Sequence, residues 1–304
     1  MDADTLARCF EGHRPHLLSV AYRLTGSVAD AEDAVQDAWL RLDRAGDPAE
    51  IEDLRAWLTT VVGRLCLDHL RSAAVRREKY VGQWLPEPIV TPLSGARPQD
   101  PLDAVVRDED NRLAALVVLD TLGPDQRVAF VLHDGFGVPF AEIAAVLGIS
   151  AAAARQSASR ARRIAEAAPV LAPKAEHDAG VQALLAAVAS GEVAAVVRAL
   201  HPDARFIGDA GGTSRTAPNI LTGPDHVGRF LLGLTRMYGA DDLLALEPVL
   251  VNGQLGLLHR GRLGDPATGR REITRRVVAC AVRDGVVWAG YDMVNPAKLG
   301  GVRL

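Results

Sequence analysis

A proline-rich segment divides the helical part of this 304-residue chain in two. Residues 81–101 contain five prolines and two glycines. Proline breaks helices and forces the residue before it into an extended backbone. Helical patterning fills residues 5–80 on one side and 102–167 on the other. We therefore expect two helical modules joined by an extended linker.

Apolar residues in the first module recur at helical spacing. One face between Asp30 and Asp43 is formed by Ala31, Ala34, Val35, Ala38, Trp39 and Leu42. The steps of three and four residues predict an amphipathic helix. The same spacing recurs in Leu54, Trp57, Leu58, Val61, Val62, Leu65 and Leu70. We interpret both tryptophans as packing residues in the first instance.

The pattern changes after residues 169–173. Amphipathic helices are predicted over residues 178–189, 191–200 and 224–238. Runs rich in apolar and β-branched residues follow at 243–251, 254–260, 272–283 and 286–292, with turn signals at Asn252-Gly253 and Asp284-Gly285. The C-terminal part is therefore predicted to be an α+β domain.

Composition and cysteine usage exclude several classes of protein. The 48% apolar and 24% charged residues are typical of a globular chain and argue against disorder or a fibrous protein. The three cysteines form no metal-ligand spacing, so no metal site is expected. Asp2 and Asp4 do not fit a signal peptide, and polar residues interrupt the most apolar stretch, 181–200. We expect a cytoplasmic protein without a membrane segment.

The net charge of −4 hides an uneven distribution. Residues 29–53 contain nine acidic against two basic residues, a local charge of −7. The sign reverses over residues 54–80, at +4, and over residues 150–166, at +3. Basic clusters supply most of the affinity for nucleic-acid phosphates. The alternative is that these charges are ordinary solvated helix faces.

Residues 139–163 have the pattern of a helix-turn-helix. Ile143, Ala144 and Leu147 form a short apolar face, Gly148 fits the helix end and Ser150 fits the next N-cap. In this motif the second helix enters the major groove. Arg155, Gln156 and Ser159 are then predicted to face bases, while Arg160, Arg162 and Arg163 are predicted to face phosphates. An inert helical hairpin is the alternative interpretation.

Several motifs in both helical modules resemble bacterial extracytoplasmic-function sigma factors. Region 2 is matched by Ala21-Tyr22-Arg23-Leu24-Thr25-Gly26, by residues 30–40, by Leu54-Arg55-Ala56-Trp57-Leu58 and by Asp68-His69-Leu70-Arg71. Region 4 is matched by Leu122-Gly123-Pro124-Asp125-Gln126-Arg127, by Ala141-Glu142-Ile143-Ala144 and by Arg160-Ala161-Arg162-Arg163. The resemblance covers about half of the chain, with the motifs in the family's order.

This resemblance implies a role for each charged helix. Binding to core RNA polymerase is implied for Asp30, Glu32, Asp33, Gln36, Asp37 and Trp39. Contact with the −10 element of promoter DNA is implied for Arg55, Arg64, Asp68, Arg71 and Arg76. The −35 element would be read by the helix that carries Arg155, Gln156, Ser159, Arg160, Arg162 and Arg163.

The C-terminal part resembles the SnoaL-like (NTF2-like) domain that is fused to one group of these sigma factors. The residues that carry the likeness are Trp84, Leu85, Pro86, Glu87 and Pro88 in the linker, Asp209, Gly211 and Gly212 in a loop, and Asn295, Pro296, Lys298 and Leu299 near the end. The expected fold class is multidomain, with two all-α sigma modules followed by an α+β cone. The boundaries predicted are region 2 at 1–80, a linker at 81–110, region 4 at 111–168, a second linker at 169–177 and the SnoaL-like domain at 178–304.

Three functional hypotheses follow. In the favoured one, the C-terminal domain regulates the sigma factor by packing on the linker, with Trp84 as the anchor. In the second, its pocket binds or transforms a small molecule, with acid and base groups from Asp209, His201, His226, His259 and Asp292. In the third, the chain is a one-component helix-turn-helix regulator that does not bind polymerase. No cofactor and no catalytic residue is predicted under the favoured hypothesis.

Overall fold

Two compact units make up the chain in the computed structural model. The first unit joins Met1–Glu78 with Ala96–Ala168, and the second joins Lys79–Gly95 with Pro169–Leu304. The structure describes residues 3–45, 51–77, 80–93, 102, 105–106, 111–168, 170–265, 267 and 269–302. Much of residues 94–110, which the sequence assigns to the linker, therefore lies outside the described residues.

Three long helices begin the first unit: α1 (Ala3–Thr25), α2 (Val28–Arg44) and α3 (Leu54–Arg77). Ser27 caps α2 by accepting a hydrogen bond from the Asp30 N–H at 3.2 Å. The helix buries Ala31, Ala34, Val35, Ala38 and Leu42. This is the predicted apolar face, except that Trp39 is only half-buried.

Four shorter helices follow among the described residues of the first unit. They are α4 (Leu113–Asp120), α5 (Pro124–Phe130), α6 (Phe140–Leu147) and α7 (Ala151–Glu166), with a π-helical turn at Val131–Gly135 between α5 and α6. Arg127 is 1% exposed and ties these helices to the first three. Its guanidinium donates to the Asp120 carboxylate at 3.1 Å and to the carbonyl of Arg23 at 3.2 Å.

The second unit contains four helices and seven strands among its described residues. The helices are α8 (Lys174–Ser190), α9 (Val193–Arg198), α10 (Pro224–Tyr238) and α11 (Ala240–Leu244). The strands are β1 (Val90–Pro92), β2 (Leu200–Asp209), β3 (Leu221–Thr222), β4 (Glu247–Val251), β5 (Gln254–His259), β6 (Arg276–Arg283) and β7 (Val286–Met293). A 3₁₀ turn at Pro296–Lys298 follows β7.

These strands form one sheet in the order β1-β4-β5-β6-β7-β2-β3. Strands β2 and β7 pair in parallel, and every other neighbouring pair is antiparallel. The edge strand β1 comes from the proline-rich segment and aligns Val90 with Val251. The core of the unit lies between the sheet and helices α8 to α10.

The predicted fold class is confirmed, but several element boundaries were wrong. Strand β2 was missed altogether, because its sequence, with Pro202 and three charged residues, lacks a clean alternation. The strand predicted from residue 243 begins at Glu247, since residues 240–244 continue as helix α11. The proline-rich segment supplies a sheet strand rather than only an extended tether. Within the described part of the chain, no helix has the length and apolarity needed to cross a membrane.

Candidate functional site

A helix, a tight turn and a second helix form the predicted DNA-reading motif. Gly148 ends α6 with a φ of +69°, a left-handed conformation that favours glycine. Ser150 then caps α7, and its hydroxyl accepts a hydrogen bond from the Ala153 N–H at 3.2 Å. Helix α7 buries Ala154, Ala158 and Ala161. The helix-turn-helix that the sequence predicts is therefore present.

The polar residues of α7 differ in how free they are to contact DNA. Exposed side chains are those of Arg155, Gln156, Arg160 and Arg163, and Ser159 is half-buried. The guanidinium carbon of Arg155 lies 5.6 Å from the centre of the Phe140 ring, a cation–π contact that orients this arginine. Arg162 instead donates from Nε to the Asp134 carboxylate at 2.9 Å. This intramolecular bond occupies one of the predicted phosphate contacts.

The outer face of α2 is acidic. Glu32, Asp33, Gln36 and Asp37 are exposed there, opposite the buried apolar face. Asp30 is half-buried, with its carboxylate 3.7 Å from Nδ1 of His69. Trp39 packs on Phe10 with ring centroids 5.1 Å apart and remains partly accessible. All six predicted polymerase-binding residues thus lie along the accessible part of one helix.

Arg55, at the start of α3, is held by a neutral histidine. The Thr59 hydroxyl donates to the Arg55 carbonyl at 2.7 Å, so it accepts from Nε2–H of His16 at 3.0 Å. Nδ1 of His16 is then free to accept from the Arg55 guanidinium at 3.1 Å. Burial and the Arg55 charge lower the pKa of His16 to about 4.

The helical unit is expected to lose stability as the pH falls from about 6.5 towards 4. The unfolded chain takes up a proton on His16 near its ordinary pKa of about 6.5, whereas the folded chain does not, so acid favours unfolding. H16N should flatten this part of the pH profile. The measurement is urea unfolding at several pH values, followed by helical circular dichroism. H226N, a change at an exposed histidine of the other unit, is the control; identical profiles for wild type and H16N would contradict the prediction.

Two other arginines of α3 contact the second group of helices. Arg64 donates from Nη2 to the Ala145 carbonyl at 3.0 Å, and Arg71 donates from Nη2 to the Asp125 carboxylate at 3.1 Å. Both arginines remain exposed to solvent, so each bond contributes little to stability. Asp68 on the same helix is exposed, and the side chain of Arg76 lies outside the described part of the structure.

Close packing accompanies these two contacts. A Cβ atom at Gly63 would lie 3.0 Å from Cδ1 of Leu132 and 3.8 Å from Cγ1 of Val146. One turn earlier, the Thr60 hydroxyl donates to the Glu142 carboxylate at 3.2 Å. The face of α3 that is predicted to hold the −10 element is therefore partly covered by the helices that are predicted to read the −35 element.

In the second unit, Asp209 holds the linker. Its carboxylate lies at the end of β2 with no solvent exposure. Oδ2 accepts hydrogen bonds from the Leu85 N–H at 2.8 Å and from Nζ of Lys298 at 2.6 Å. Oδ1 accepts from the Tyr80 hydroxyl, and burial together with this bonded carboxylate raises the pKa of Tyr80 above its ordinary range. Asp209 thus neutralises one buried ammonium and binds both ends of residues 80–85.

Lys298 and Asn295 also contact the linker, and together with Asp209 they form what we call the linker node. The Lys298 ammonium also donates to the Leu85 carbonyl and lies 3.9 Å from the centre of the Trp84 ring. Asn295 donates from Nδ2 to the Tyr80 hydroxyl at 2.8 Å. Gly211, at a φ of +58°, leaves room for Asn295, since a Cβ atom there would lie 2.6 Å from Nδ2. Of the predicted residues, the structure therefore brings together Trp84 and Leu85 of the linker, Asp209 and Gly211, and Asn295 and Lys298 near the end.

The structure differs from the hypotheses in detail at two residues of this region. Trp84 is only half-buried, and the residue that fills the interior is Leu85, with no exposure. Asp209, which was expected from the sequence to lie in a loop and, under the second hypothesis, in the pocket, instead ends strand β2, bonds to the linker and does not line the cavity described below. The contribution of Tyr80 was missed. Neither the loop motif that contains Asp209 nor the C-terminal motif that contains Asn295 and Lys298 indicates a tyrosine partner.

A cavity lies between the sheet and helices α8 and α10 of the same unit. Of the proposed acid and base groups, His259 and Asp292 line it. His226 is exposed and bonds to the Thr222 carbonyl at 3.1 Å, and His201 lies 3.8 Å from Asp284, so neither belongs to the cavity. Arg276, Asp242 and Arg205 also line the cavity and were not predicted. No group of three potential metal ligands occurs among the described residues.

Comparison with known proteins assigns both helical modules. Residues 9–76 match sigma-70 region 2, and residues 112–164 match sigma-70 region 4. Neither match extends into the C-terminal α+β part of the chain.

Full-length relatives cover that part as well. The chain is 55% identical over 295 residues to the ECF RNA polymerase sigma factor SigJ of Mycobacterium tuberculosis, covering 96% of this chain and 92% of SigJ. It is 37% identical over 308 residues to the probable ECF sigma factor SigI of that organism, covering 99% and 97%. The crystal structure of SigJ matches with a TM-score of 0.82 and 52% identity, over 97% of this chain and 98% of that one. This chain therefore belongs to the extracytoplasmic-function family of RNA polymerase sigma factors, which direct core polymerase to promoter DNA.

Proposed function

We propose that three helical surfaces divide the work of promoter-specific initiation. The acidic face of α2 is assigned to core polymerase, α3 to the −10 element and α7 to the −35 element. In this division residues 1–80 act as region 2, 81–110 as the linker, 111–168 as region 4, 169–177 as a second linker and 178–304 as a regulatory domain. The observation that carries the proposal is the separation of charge, with exposed carboxylates on α2 and exposed arginines on α7.

A polymerase-binding test separates this proposal from a one-component regulator. The residues assigned to the polymerase contact are Asp30, Glu32, Asp33, Gln36, Asp37 and Trp39. A pull-down with purified core polymerase should retain the full chain and should lose it when the exposed pair Asp33 and Asp37 is changed to lysine. If the chain shifts promoter DNA but is not retained by the polymerase, the division of surfaces is wrong.

Residues of α7 are expected to differ in what they read. R155A should weaken binding to a promoter by about 1–3 kcal/mol and should relax the preference for one −35 base, because Arg155 is assigned to a base contact in this proposal. R163A, a matched change on the same helix, should weaken all sequences alike, as expected for a phosphate contact. Holoenzyme binding to the promoter and to a scrambled −35 element measures both effects. Equal losses of R155A on the two templates would contradict the assignment.

The proposed role of the C-terminal domain is to hold the linker between the two sigma modules. Support comes from the buried Asp209–Lys298 pair, which binds the backbone of Leu85 on both its N–H and C=O sides. Strand β1 adds main-chain pairing at the sheet edge, a mode of recognition that proteins also use for separate peptides. Anchoring the linker shortens the free chain between region 2 and region 4, and so limits the separations that they can adopt.

Regulation is proposed here rather than catalysis. The Asp209 carboxylate is committed to the linker. A second candidate function, favoured by the cavity that contains His259 and Asp292, is binding of a small molecule. In vitro transcription with the full chain and with a chain ending at Ala168 tests the regulatory role. If the two chains choose the same promoters and produce the same amount of transcript, the C-terminal domain has no regulatory role.

A further inference from the structure

The cavity of the second unit is small and mostly apolar. Its volume is about 160 Å³. Apolar side chains from α8, α10 and the sheet form its walls, among them Val181, Leu184, Phe206, Leu231 and Leu257. An engineered protein cavity of about 150 Å³ with similar walls stays dry and binds benzene. The space therefore suits a hydrocarbon of about one ring.

Three polar side chains from neighbouring strands share one side of this cavity. His259 of β5 pairs with Arg276 of β6, and Val278 of β6 pairs with Asp292 of β7. Arg276 and Val278 are two residues apart and so point to the same face of the sheet, and paired residues also share a face. His259, Arg276 and Asp292 consequently project together towards the cavity that they line.

Each of these side chains has one enclosed polar atom with no hydrogen-bond partner among the described residues. The atoms are Nε2 of His259, Nε of Arg276 and Oδ1 of Asp292. His259 is 5% exposed and Asp292 is 1% exposed, so bulk water does not satisfy them. Buried polar atoms in native proteins are nearly always bonded to protein, to ordered water or to a ligand.

The neighbouring bonds show what each free atom offers. Nδ1 of His259 accepts from the Gly261 N–H at 3.0 Å, so the neutral ring carries its proton on Nε2. Oδ2 of Asp292 accepts from the Thr216 hydroxyl at 2.6 Å, which leaves Oδ1 as the unused oxygen. The site therefore presents two N–H donors and one carboxyl oxygen.

Charge in the site favours an uncharged ligand group. Arg276 lies 3.4 Å from the Asp292 carboxylate, and the Asp242 carboxylate accepts hydrogen bonds from Nε and Nη2 of Arg262 at 3.0 and 2.9 Å. Burial raises the pKa of Asp292, and burial likewise lowers the pKa of His259. A carboxylate ligand would face two acidic side chains, and an ammonium ligand would face the two N–H donors. A hydroxyl group can accept from both donors through its oxygen and can donate its proton to Asp292.

We propose that the cavity binds a small apolar molecule with a single hydroxyl group, such as a one-ring phenol or alcohol. The hydrocarbon part lies against the walls from α8 and α10. The hydroxyl oxygen accepts from His259 and Arg276 and donates to Oδ1 of Asp292. This proposal rests on the second candidate function above and specifies its ligand. Its failure would leave the proposed docking of the linker unaffected, because Asp209 does not line the cavity.

Calorimetric titration of the full chain tests the proposal with three probes of similar shape. We expect p-cresol to bind at least about tenfold more tightly than toluene, which lacks the hydroxyl, and than 4-methylbenzoate, which carries a charge. Equal affinity for p-cresol and toluene, or tighter binding of 4-methylbenzoate, would overturn the hydroxyl assignment. Failure of all three to bind would overturn the site. This comparison uses the wild-type chain and needs no variant.

A cavity-filling variant then tests whether the probe binds in this cavity. V278F adds volume opposite Asp292 and should abolish binding of p-cresol while circular dichroism stays unchanged. The control is L263F, at a side chain that is 83% exposed and outside the cavity. If V278F folds and binds p-cresol as the wild type does, the probe occupies another place and the proposal is wrong. If V278F does not fold, the milder C280V variant replaces it at a second cavity residue, with the same two outcomes.

Discussion

D209A is expected to release the linker from the C-terminal domain. The substitution removes the carboxylate that neutralises Lys298 and that accepts from the Leu85 N–H and the Tyr80 hydroxyl. Removing one partner of a buried ion pair costs about 3–5 kcal/mol, which exceeds the effect of most single substitutions. Proteases should then cleave within residues 80–93 of the folded chain, and promoter-specific transcription should fall because the two modules lose their fixed tether.

The matched control for this change lies on the same strand. Asp203 belongs to β2, but its side chain is 77% exposed, so D203A removes a carboxylate without disturbing the linker. W84A should have a smaller effect than D209A, because Trp84 is only half-buried and carries no charge, although its ring contacts the Lys298 ammonium. If D209A leaves the cleavage pattern and the transcription level as they are in D203A, the linker does not depend on this node.

G63L is expected to separate the two groups of helices in the first unit. A Cβ atom at this position already lies within 3.0 Å of Leu132, and the rest of the leucine side chain has no space there. Overpacking of this kind costs about 1–3 kcal/mol. A cost of this size shifts the equilibrium between packed and separated arrangements of the two groups of helices by about 5- to 150-fold. Because Arg64 and Arg71 would be released, holoenzyme formed with G63L should bind promoter DNA more tightly.

G12L provides the comparison for G63L. Gly12 lies in helix α1, and no heavy atom lies within 4 Å of a Cβ placed there. Both substitutions gain about 0.8 kcal/mol of helix propensity. Any difference between the two variants therefore reports the steric clash of the leucine side chain at position 63. Small-angle scattering should report a larger radius of gyration for G63L than for G12L. Tighter promoter binding by both variants, or by neither, would show that this packing does not restrain DNA binding.

Local sequence signals were sufficient for the helical surfaces. The face of α2 follows from the spacing of Ala31 to Leu42, and the helix-turn-helix follows from Gly148 and Ser150, whose roles depend on residues within one turn. Such short-range preferences act in the same way in any fold. The resemblance between motifs supplied the family, and the comparisons confirmed it.

Long-range contacts were predicted only in part, since the motifs indicated which segments meet but not which side chains are buried where they meet. Asp209 has the neighbours of a turn residue, with Gly211 and Gly212 beside it, yet it lies buried at a strand end because Leu85 and Lys298 meet there. Trp84 has a larger side chain than Leu85, but it is Leu85 that occupies the buried position. The pairing of α3 with Leu132 likewise joins residues far apart in the chain.

The amino-acid sequence alone determined that the first unit is helical, which faces of its helices are acidic or basic, and to which family the chain belongs, because periodicity, capping and motif spacing are properties of neighbouring residues. Only the tertiary structure decided which charges are already satisfied within the protein. Arg162, Arg64 and Asp209 find partners within it, whereas His259 and Asp292 keep polar atoms free at a cavity. The physical reason is that burial and hydrogen-bond satisfaction depend on what the folded chain brings within about 3 Å of each atom.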